Sequence, residues 1–345
     1  MSHPADDDSS DRPLGAPALN RRGLWRRGLI ALAALVVVAL GAGGTYLYKI
    51  DRSVTQNITR ADQLPADTPS VNGQSARPTR NAQLTGTKNF VLLGSDSRDP
   101  DGSGNGRSDS IMVVHLNNAR DKAYVISFPR DLYVKIPGHG KNKINAAYSF
   151  GGAKLTVSTL EELLGVRMDH LALIDFEGFI RLTEDLGGVT VTNRHPFKSH
   201  GFTYPKGKIT IKGEQALWFV RERYALPRGD LDRAGNQRNV IKAIVDKGLS
   251  AGALADPAAY LKFVSGVAQH LTVDDSLTNA EIRETALSVR LSGSDIALLQ
   301  APIDGYGTSP DGQSIDRVDQ SKLTELSAAL KKDRLAGYVK KYPKG

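Results

Sequence analysis

The sequence predicts an α/β domain: a central mixed β-sheet flanked by helices on both faces, standing behind one N-terminal transmembrane helix. Three observations carry this. Short apolar runs bounded by Gly, Pro or charged residues recur through residues 88–333, as buried strands do. Stretches with helical apolar spacing alternate with them, and such alternation builds a sheet covered on both faces. Ahead of both, Gly28 to Tyr48 is 21 residues long and carries no charge.

Met1 to Asn20 is rich in Asp, Ser and Pro, and residues 1–27 are expected to form a disordered cytoplasmic tail. At ~1.5 Å rise per residue, residues 28–48 match a ~30 Å hydrocarbon core. Arg21, Arg22, Arg26 and Arg27 precede that stretch and place its N-terminal end in the cytoplasm. It exceeds the ~7–15 apolar residues of a cleavable signal peptide. An uncleaved single-pass anchor is therefore expected, with the remainder outside the cell. Residues 49–87 contain Pro65, Pro69 and Pro78 without sustained periodicity and read as a linker.

Order is expected from Lys88. Residues 89–94, 110–116 and 123–128 are apolar runs that suit buried strands. Residues 145–164 and 176–186 have helical spacing, with Glu161, Glu162, Glu184 and Asp185 on solvated faces. Gly187-Gly188 ends the second helix and 189–192 forms the next strand. Residues 197–211, punctuated by Gly201 and Gly207, read as a β-hairpin excursion. Helices follow at 213–221, 236–248 and 277–291, then a strand at 296–299 and a helix at 323–330. With no internal repeat or boundary, 88–333 is expected to be one domain, and 334–345 a flexible tail.

The chain has no cysteine, which excludes a disulfide framework and a thiolate metal site. Its net charge is +8, of which residues 1–27, with five arginines against four aspartates, hold only +1. The excess cation on the remainder points to an anionic partner such as phosphate, pyrophosphate or a teichoic-type polymer. The expected orientation argues against nucleic acid. No G-x-S-x-G elbow occurs, the seven histidines lack metal-ligand spacing, and Gly102 to Gly106 lacks the Gly-Lys-Ser/Thr ending of a phosphate loop.

Arg and Asp concentrate instead in five short segments beside Gly or Pro, each at the end of an apolar run: 94–98, 106–109, 129–131, 221–223 and 229–233. In open α/β sheets, ligands bind outside the carboxyl ends of the strands. Asp96 follows one strand and Arg130-Asp131 another, while Arg107 and Asp109 enter a third. Converging guanidinium forks suit a multiply charged phosphate. Two nearby aspartates suit Mg²⁺, which takes one or two carboxylates plus substrate oxygens.

The text NFVLLGSDSR (89–98), GRSDSIMVVHL (106–116), SFPRDLYVKIPG (127–138), KINAAYSFGG (143–152), LGGVTV (186–191) and VRERYALPRGDLDRAGNQR (220–238) closely resembles the LytR-CpsA-Psr family of cell-wall ligases. The resemblance implies a phosphotransferase that moves an anionic glycopolymer from a polyprenyl-pyrophosphate donor to a peptidoglycan acceptor, forming a phosphodiester with Mg²⁺ (or Mn²⁺). By residue, it implies that Asp96 and Asp109 are the metal aspartates and that Arg107, Arg130, Arg221 and Arg223 bind pyrophosphate. It also implies that Lys143, Asp230, Arg233 and Gln237 line the same pocket. Asn236 departs from the family, many members of which carry arginine there. Asp131 and Asp230 are both candidate general bases. An isoprenoid tail needs an apolar slot, for which Phe176, Phe179, Ile180, Trp218 and Phe219 are candidates. A hydrolase using water in the same pocket and a non-catalytic transcription attenuator or surface-binding protein are the rival readings.

Overall fold

The computed structural model describes residues 58–68, 75–95, 108–248, 263, 267 and 269–343. The chain divides into two units, 1–48 and 49–345, and every described residue lies in the second. Fifteen strands are described: β1 (Thr59–Ala61), β2 (Lys88–Ser95), β3 (Ser108–Leu116), β4 (Ala123–Phe128), β5 (Tyr133–Ile136), β6 (Gly140–Lys143), β7 (His170–Asp175), β8 (Val189–Asn193), β9 (Phe197–Ser199), β10 (Phe202–Tyr204), β11 (Gly207–Ile211), β12 (Thr272–Asp274), β13 (Ile296–Gln300), β14 (Ile303–Thr308) and β15 (Ser314–Val318). The helices are α1 (Ala146–Leu164), α2 (Phe176–Asp185), α3 (Gly213–Arg221), α4 (Asp230–Gly248), α5 (Asn279–Ser288), α6 (Gln320–Lys331) and α7 (Leu335–Lys341).

Seven strands form the main sheet in the order β1-β12-β7-β2-β3-β4-β13. It is mixed: β7 runs parallel to β2 and β13 to β4, while β3 is antiparallel to both of its neighbours. Alternate side chains point to opposite faces of a strand, and both faces here are apolar. Val91, Leu93, Ile111, Val113 and Ile126 pack with Val157 and Leu160 of α1 and Leu326 and Leu330 of α6. The intervening residues Leu92, Met112, Val114 and Val125 pack with Ile241 and Val245 of α4. Burial on both sides explains why these strands read as near-continuous apolar runs.

A mixed sheet covered by helices is therefore present, whereas the membrane-spanning part of the expected fold is corrected. Among the described residues no helix is long and apolar enough to cross a membrane. Residues 28–48 lie outside the described residues, so neither the anchor nor the topology and location inferred from it is carried further.

Two expected boundaries also change. The stretch expected to be a linker contributes β1 to the sheet edge. It also carries Arg77, whose guanidinium meets the Glu161 carboxylate of α1 at 2.7 Å with both side chains buried. The expected C-terminal tail contains α7, which inserts Leu335 and Tyr338 into the core. Residues 189–192 do form a strand, but it pairs with β11 rather than joining the main sheet. The turn before it uses Gly187 and Gly188 at φ +68° and +92°, a region side chains rarely adopt.

Candidate active site

The site residues converge because of strand direction. The carboxyl ends of β2, β4 and β7 lie at one end of the sheet, and β3, being antiparallel, starts there. Asp109, on β3, and Arg130, in the turn after β4, each lie two residues beyond the Ile111–Phe128 pair, so the register itself brings them side by side. Arg130 Nη1 donates to Asp109 Oδ1 at 2.8 Å. Its Nε lies 3.6 Å from Asp131 and 3.7 Å from Asp230, too far for a hydrogen bond, and is buried without a hydrogen-bond partner among the described residues. Arg130 is thus the hub of three carboxylates. They hold its proton more tightly than usual, although burial opposes this.

Lys143 arrives by way of the β5–β6 hairpin. Tyr133 pairs with Lys143, which turns the chain back so that Lys143 Nζ sits 3.0 Å from Asp131 Oδ1. The amides of Ile144 and Asn145 donate to the carbonyls of Leu132 and Arg130 at 2.8 and 3.2 Å, fixing that return.

Helix α4 supplies the opposite wall. Asp230, Arg233 and Gln237 recur at three- and four-residue spacing and so share one helix face. Arg233 pairs with Asp230, and Gln237 Nε2 donates to the Val220 carbonyl at 3.2 Å. Burial pushes the Asp230 carboxyl up, and Asp131 adds to this while Arg233 and Arg130 resist it. Burial likewise pushes the Arg233 guanidinium down. Asn236 is turned away from this face; its amide donates to the Phe219 carbonyl at 3.4 Å and ties α4 to α3.

Arg221, at the end of α3, is held by rings. Its guanidinium carbon lies 4.3 Å from the Phe176 ring centre and 5.0 Å from that of Trp218. Among the described residues it has no carboxylate partner, so its donors are left for an anion. Arg223 donates to the Tyr224 hydroxyl at 2.5 Å and lies over that ring.

Behind these charges is a cavity of ≈ 240 Å³. Asp109, Arg221, Arg233 and Gln237 stand among its lining residues, and the rest is almost wholly apolar, including Phe176, Phe179, Leu217, Val240 and Ile244. Of the residues expected to line an apolar slot, Phe176 and Phe179 do so. Ile180 is half-buried elsewhere on α2. Trp218 stacks on the His200 ring, centres 3.3 Å apart. Phe219 is a correction: it is fully buried in the core against Phe197 and Tyr204. Asp96 and Arg107 lie outside the described residues.

One site residue escaped the sequence reading. Asp316 of β15 is buried, and its amide donates to the Asp131 carbonyl at 2.9 Å. Burial, with Asp131 and Asp230 nearby, pushes its carboxyl up to about 6, against the pull of Lys143. It lies 185 residues from Asp131 in an unremarkable Ser-Ile-Asp-Arg-Val run, with no Gly, Pro or arginine cluster to mark it.

Among the described residues no group of three or more His, Cys, Asp or Glu could by itself hold a metal ion. Mg²⁺ does not require one, since one or two carboxylates beside substrate phosphate oxygens suffice. Asp109 fits that role: Arg130 engages its Oδ1, and among the described residues Oδ2 is left for a cation. Chemically, then, the site can grip a multiply charged anion, accept a proton and hold an apolar chain.

Known proteins resemble this chain in sequence and in fold. A profile described as the LytR_cpsA_psr family matches residues 45–332. The polyisoprenyl-teichoic acid–peptidoglycan teichoic acid transferase TagU of Enterococcus faecalis is 32% identical over 305 residues, 88% of this chain and 94% of that protein. The crystal structure of Bacillus subtilis TagV superposes with a TM-score of 0.61 at 27% identity, covering 72% of this chain and 97% of that one. A structure of TagT bound to LI-WTA gives 0.57 at 30% identity, covering 77% and 99%.

Proposed function

The chain belongs to the LytR-CpsA-Psr family, and on that premise we propose that it transfers an anionic cell-wall glycopolymer from a polyprenyl-pyrophosphate donor to peptidoglycan. The observation that carries this reading is the joining of a cationic mouth to an apolar cavity, with Asp109, Arg221, Arg233 and Gln237 at the junction. A soluble anion needs only the first part, and a neutral lipid only the second. A lipid pyrophosphate needs both. The names of the TagU relatives as teichoic acid transferases support the same reaction.

The chemistry follows from the residues present. Arg130, Arg221, Arg223 and Arg233 grip the pyrophosphate oxygens, with Arg107, which matches the family motif, as a further donor. Guanidinium forks stabilise the charge that develops there as the acceptor attacks. The acceptor hydroxyl oxygen bonds to the phosphorus that carries the polymer. The bond from that phosphorus to the bridging oxygen breaks, and polyprenyl phosphate departs with the electron pair. The hydroxyl proton passes to a carboxylate. Asp131, held by Lys143, and Asp230, raised by burial, are the two placed to take it. Because the pyrophosphate is already activated, no nucleotide is consumed. Asp109, with Asp96, would hold Mg²⁺ or Mn²⁺, which when bound neutralises phosphate charge. Phe176 and Phe179 receive the isoprenoid tail.

The test is incubation of the full chain with a lipid-linked, labelled polymer and peptidoglycan. Label bound covalently to peptidoglycan is the expected result. Free phosphorylated polymer would instead mean that water is the acceptor and the protein is a hydrolase. Donor left intact in the presence of divalent metal would refute both.

A further inference from the structure

Asp316 is not accounted for by the transfer chemistry so far. It is 5% exposed, and its Oδ2 is buried with no hydrogen-bond partner among the described residues. A buried carboxylate oxygen left unpaired is costly, and the surroundings do little to offset it. The charged groups facing it come from three elements. Asp131 lies in the turn between β4 and β5, Asp230 at the start of α4, and Lys143 at the end of β6. On its own hairpin Arg317 is occupied by Asp304 at 3.1 Å, and Tyr306, its cross-strand partner, is exposed. Lys143 is therefore the one cation among these groups, and Asp131 already holds it at 3.0 Å.

The placement of Asp316 is built into the backbone. A β-bridge from Asp316 to Leu132 and the hydrogen bond that the Asp316 N–H donates to the Asp131 carbonyl join β15 to the turn that carries Asp131. The two residues are thus tethered through their backbones, and the Lys143 ammonium, paired with Asp131, lies near enough to act on the Asp316 carboxyl as well.

Building on the transfer reading, we infer that Asp316 is a positioning residue that acts through Lys143: when ionised it competes with Asp131 for the ammonium, and so sets how free Asp131 is to accept the acceptor's proton. While Asp316 is neutral, Lys143 belongs to Asp131 and Asp131 is a restrained base. When Asp316 loses its proton, it draws on Lys143 and releases Asp131. Two acids that share one cation titrate as a coupled set. The carboxyl of Asp316, raised from its ordinary 3.8 to about 6, places this exchange just below neutral pH.

The test uses the full chain and Asp316→Asn, a near-isosteric change that fixes the neutral state. Transfer by the wild type should rise as pH passes through about 6. In D316N that rise should be lost, with kcat/KM at pH 7.5 lower by roughly fivefold and donor KM little changed. Asp316→Glu should restore part of the rise. In a Lys143→Gln background, D316N should have no further effect, because the ammonium through which Asp316 acts is gone.

A second readout does not depend on activity. A carboxyl whose pKa is raised on folding favours the folded state at low pH and costs stability as pH rises through its folded value. The urea midpoints of wild type and D316N should therefore coincide near pH 4, with D316N the higher at pH 7.5. A midpoint difference that does not change with pH overturns the inference whatever the activity. So does an unaltered pH profile in D316N when the wild type transfers polymer. Absence of transfer by the wild type refutes the reading on which the inference rests, and the midpoints then decide the placement of Asp316 separately.

Discussion

Replacing Arg130 with Gln removes a cation that lies within 4 Å of three carboxylates. Its guanidinium lies 2.8 Å from Asp109, 3.6 Å from Asp131 and 3.7 Å from Asp230. At an effective dielectric constant of about 20, each such pair is worth about 4–6 kcal/mol of Coulomb energy. Most of this is cancelled by the cost of bringing the ions out of water. A fully buried pair that loses one partner costs about 3–5 kcal/mol, and the 17% residual exposure of Arg130 lowers that to about 2–3 kcal/mol. The loss should depend on pH. Burial already raises Asp230, and without Arg130 it loses one of the cations that resist the rise. Stability lost to a raised carboxyl is regained at low pH, when the group binds its proton in both states. Urea unfolding of wild type and R130Q at pH 8 and pH 4.5 measures this. The expected gap is about 2–3 kcal/mol at pH 8, narrowing at pH 4.5. A gap equal at both pH values, or a more stable variant, would show that the cluster is not held together by Arg130.

Three further outcomes follow from the same geometry. Arg130→Lys and Arg221→Lys should each lose at least about tenfold in turnover, near 1.4 kcal/mol, because a point charge does not reproduce a bidentate fork; near-normal rates in both would mean that the arginines supply only field. Asp109→Ala, and EDTA treatment of the wild type, should each abolish polymer transfer while the apoprotein stays folded, and full activity in EDTA would remove the metal from the reaction. At the opposite end of β7, His170 sits 3.2 Å from Asp274 and 3.0 Å from Glu281. Burial opposes its charge, but the neighbouring Asp274 and Glu281 carboxylates outweigh that and raise its pKa. The stability it contributes is fully present below its unfolded value of about 6.5 and is lost as pH rises through the folded value, so His170→Gln should cost more at pH 5.5 than at pH 9.

What the sequence made legible divides along physical lines. Strands β2, β3 and β4 were readable because both of their faces are buried, which leaves continuous apolar runs. Helix α4 was expected only from residue 236, yet it begins at Asp230. Its first two turns present Asp230, Arg233 and Gln237 to the site and bury only Leu231 and Ala234 as apolar residues, too sparse a periodicity to mark them, and Gly235 masks them further. The β5–β6 and β14–β15 hairpins escaped because they are short and polar, yet they bring Lys143 and Asp316 to the site. Phe176 and Phe219 look alike in sequence, both apolar on helices. One lines the cavity and the other fills the core, a distinction set by neighbouring elements. The register of β3 on β4, which joins Asp109 to Arg130, is likewise a tertiary fact, although the aspartate and arginine segments at the run ends pointed to the same end of the sheet.

The central claim is that one cavity holds both the charged headgroup and the apolar tail of a single substrate. The most direct test is the affinity of the full chain for inorganic pyrophosphate and for prenyl pyrophosphates of increasing length. Each buried CH₂ contributes up to about 0.8 kcal/mol, so affinity should climb steeply over the first carbons and level off once the cavity is full. Val240→Trp, which fills part of the cavity lining, should flatten the climb and leave pyrophosphate affinity unchanged. Equal affinity for inorganic pyrophosphate and for every prenyl length would contradict the claim.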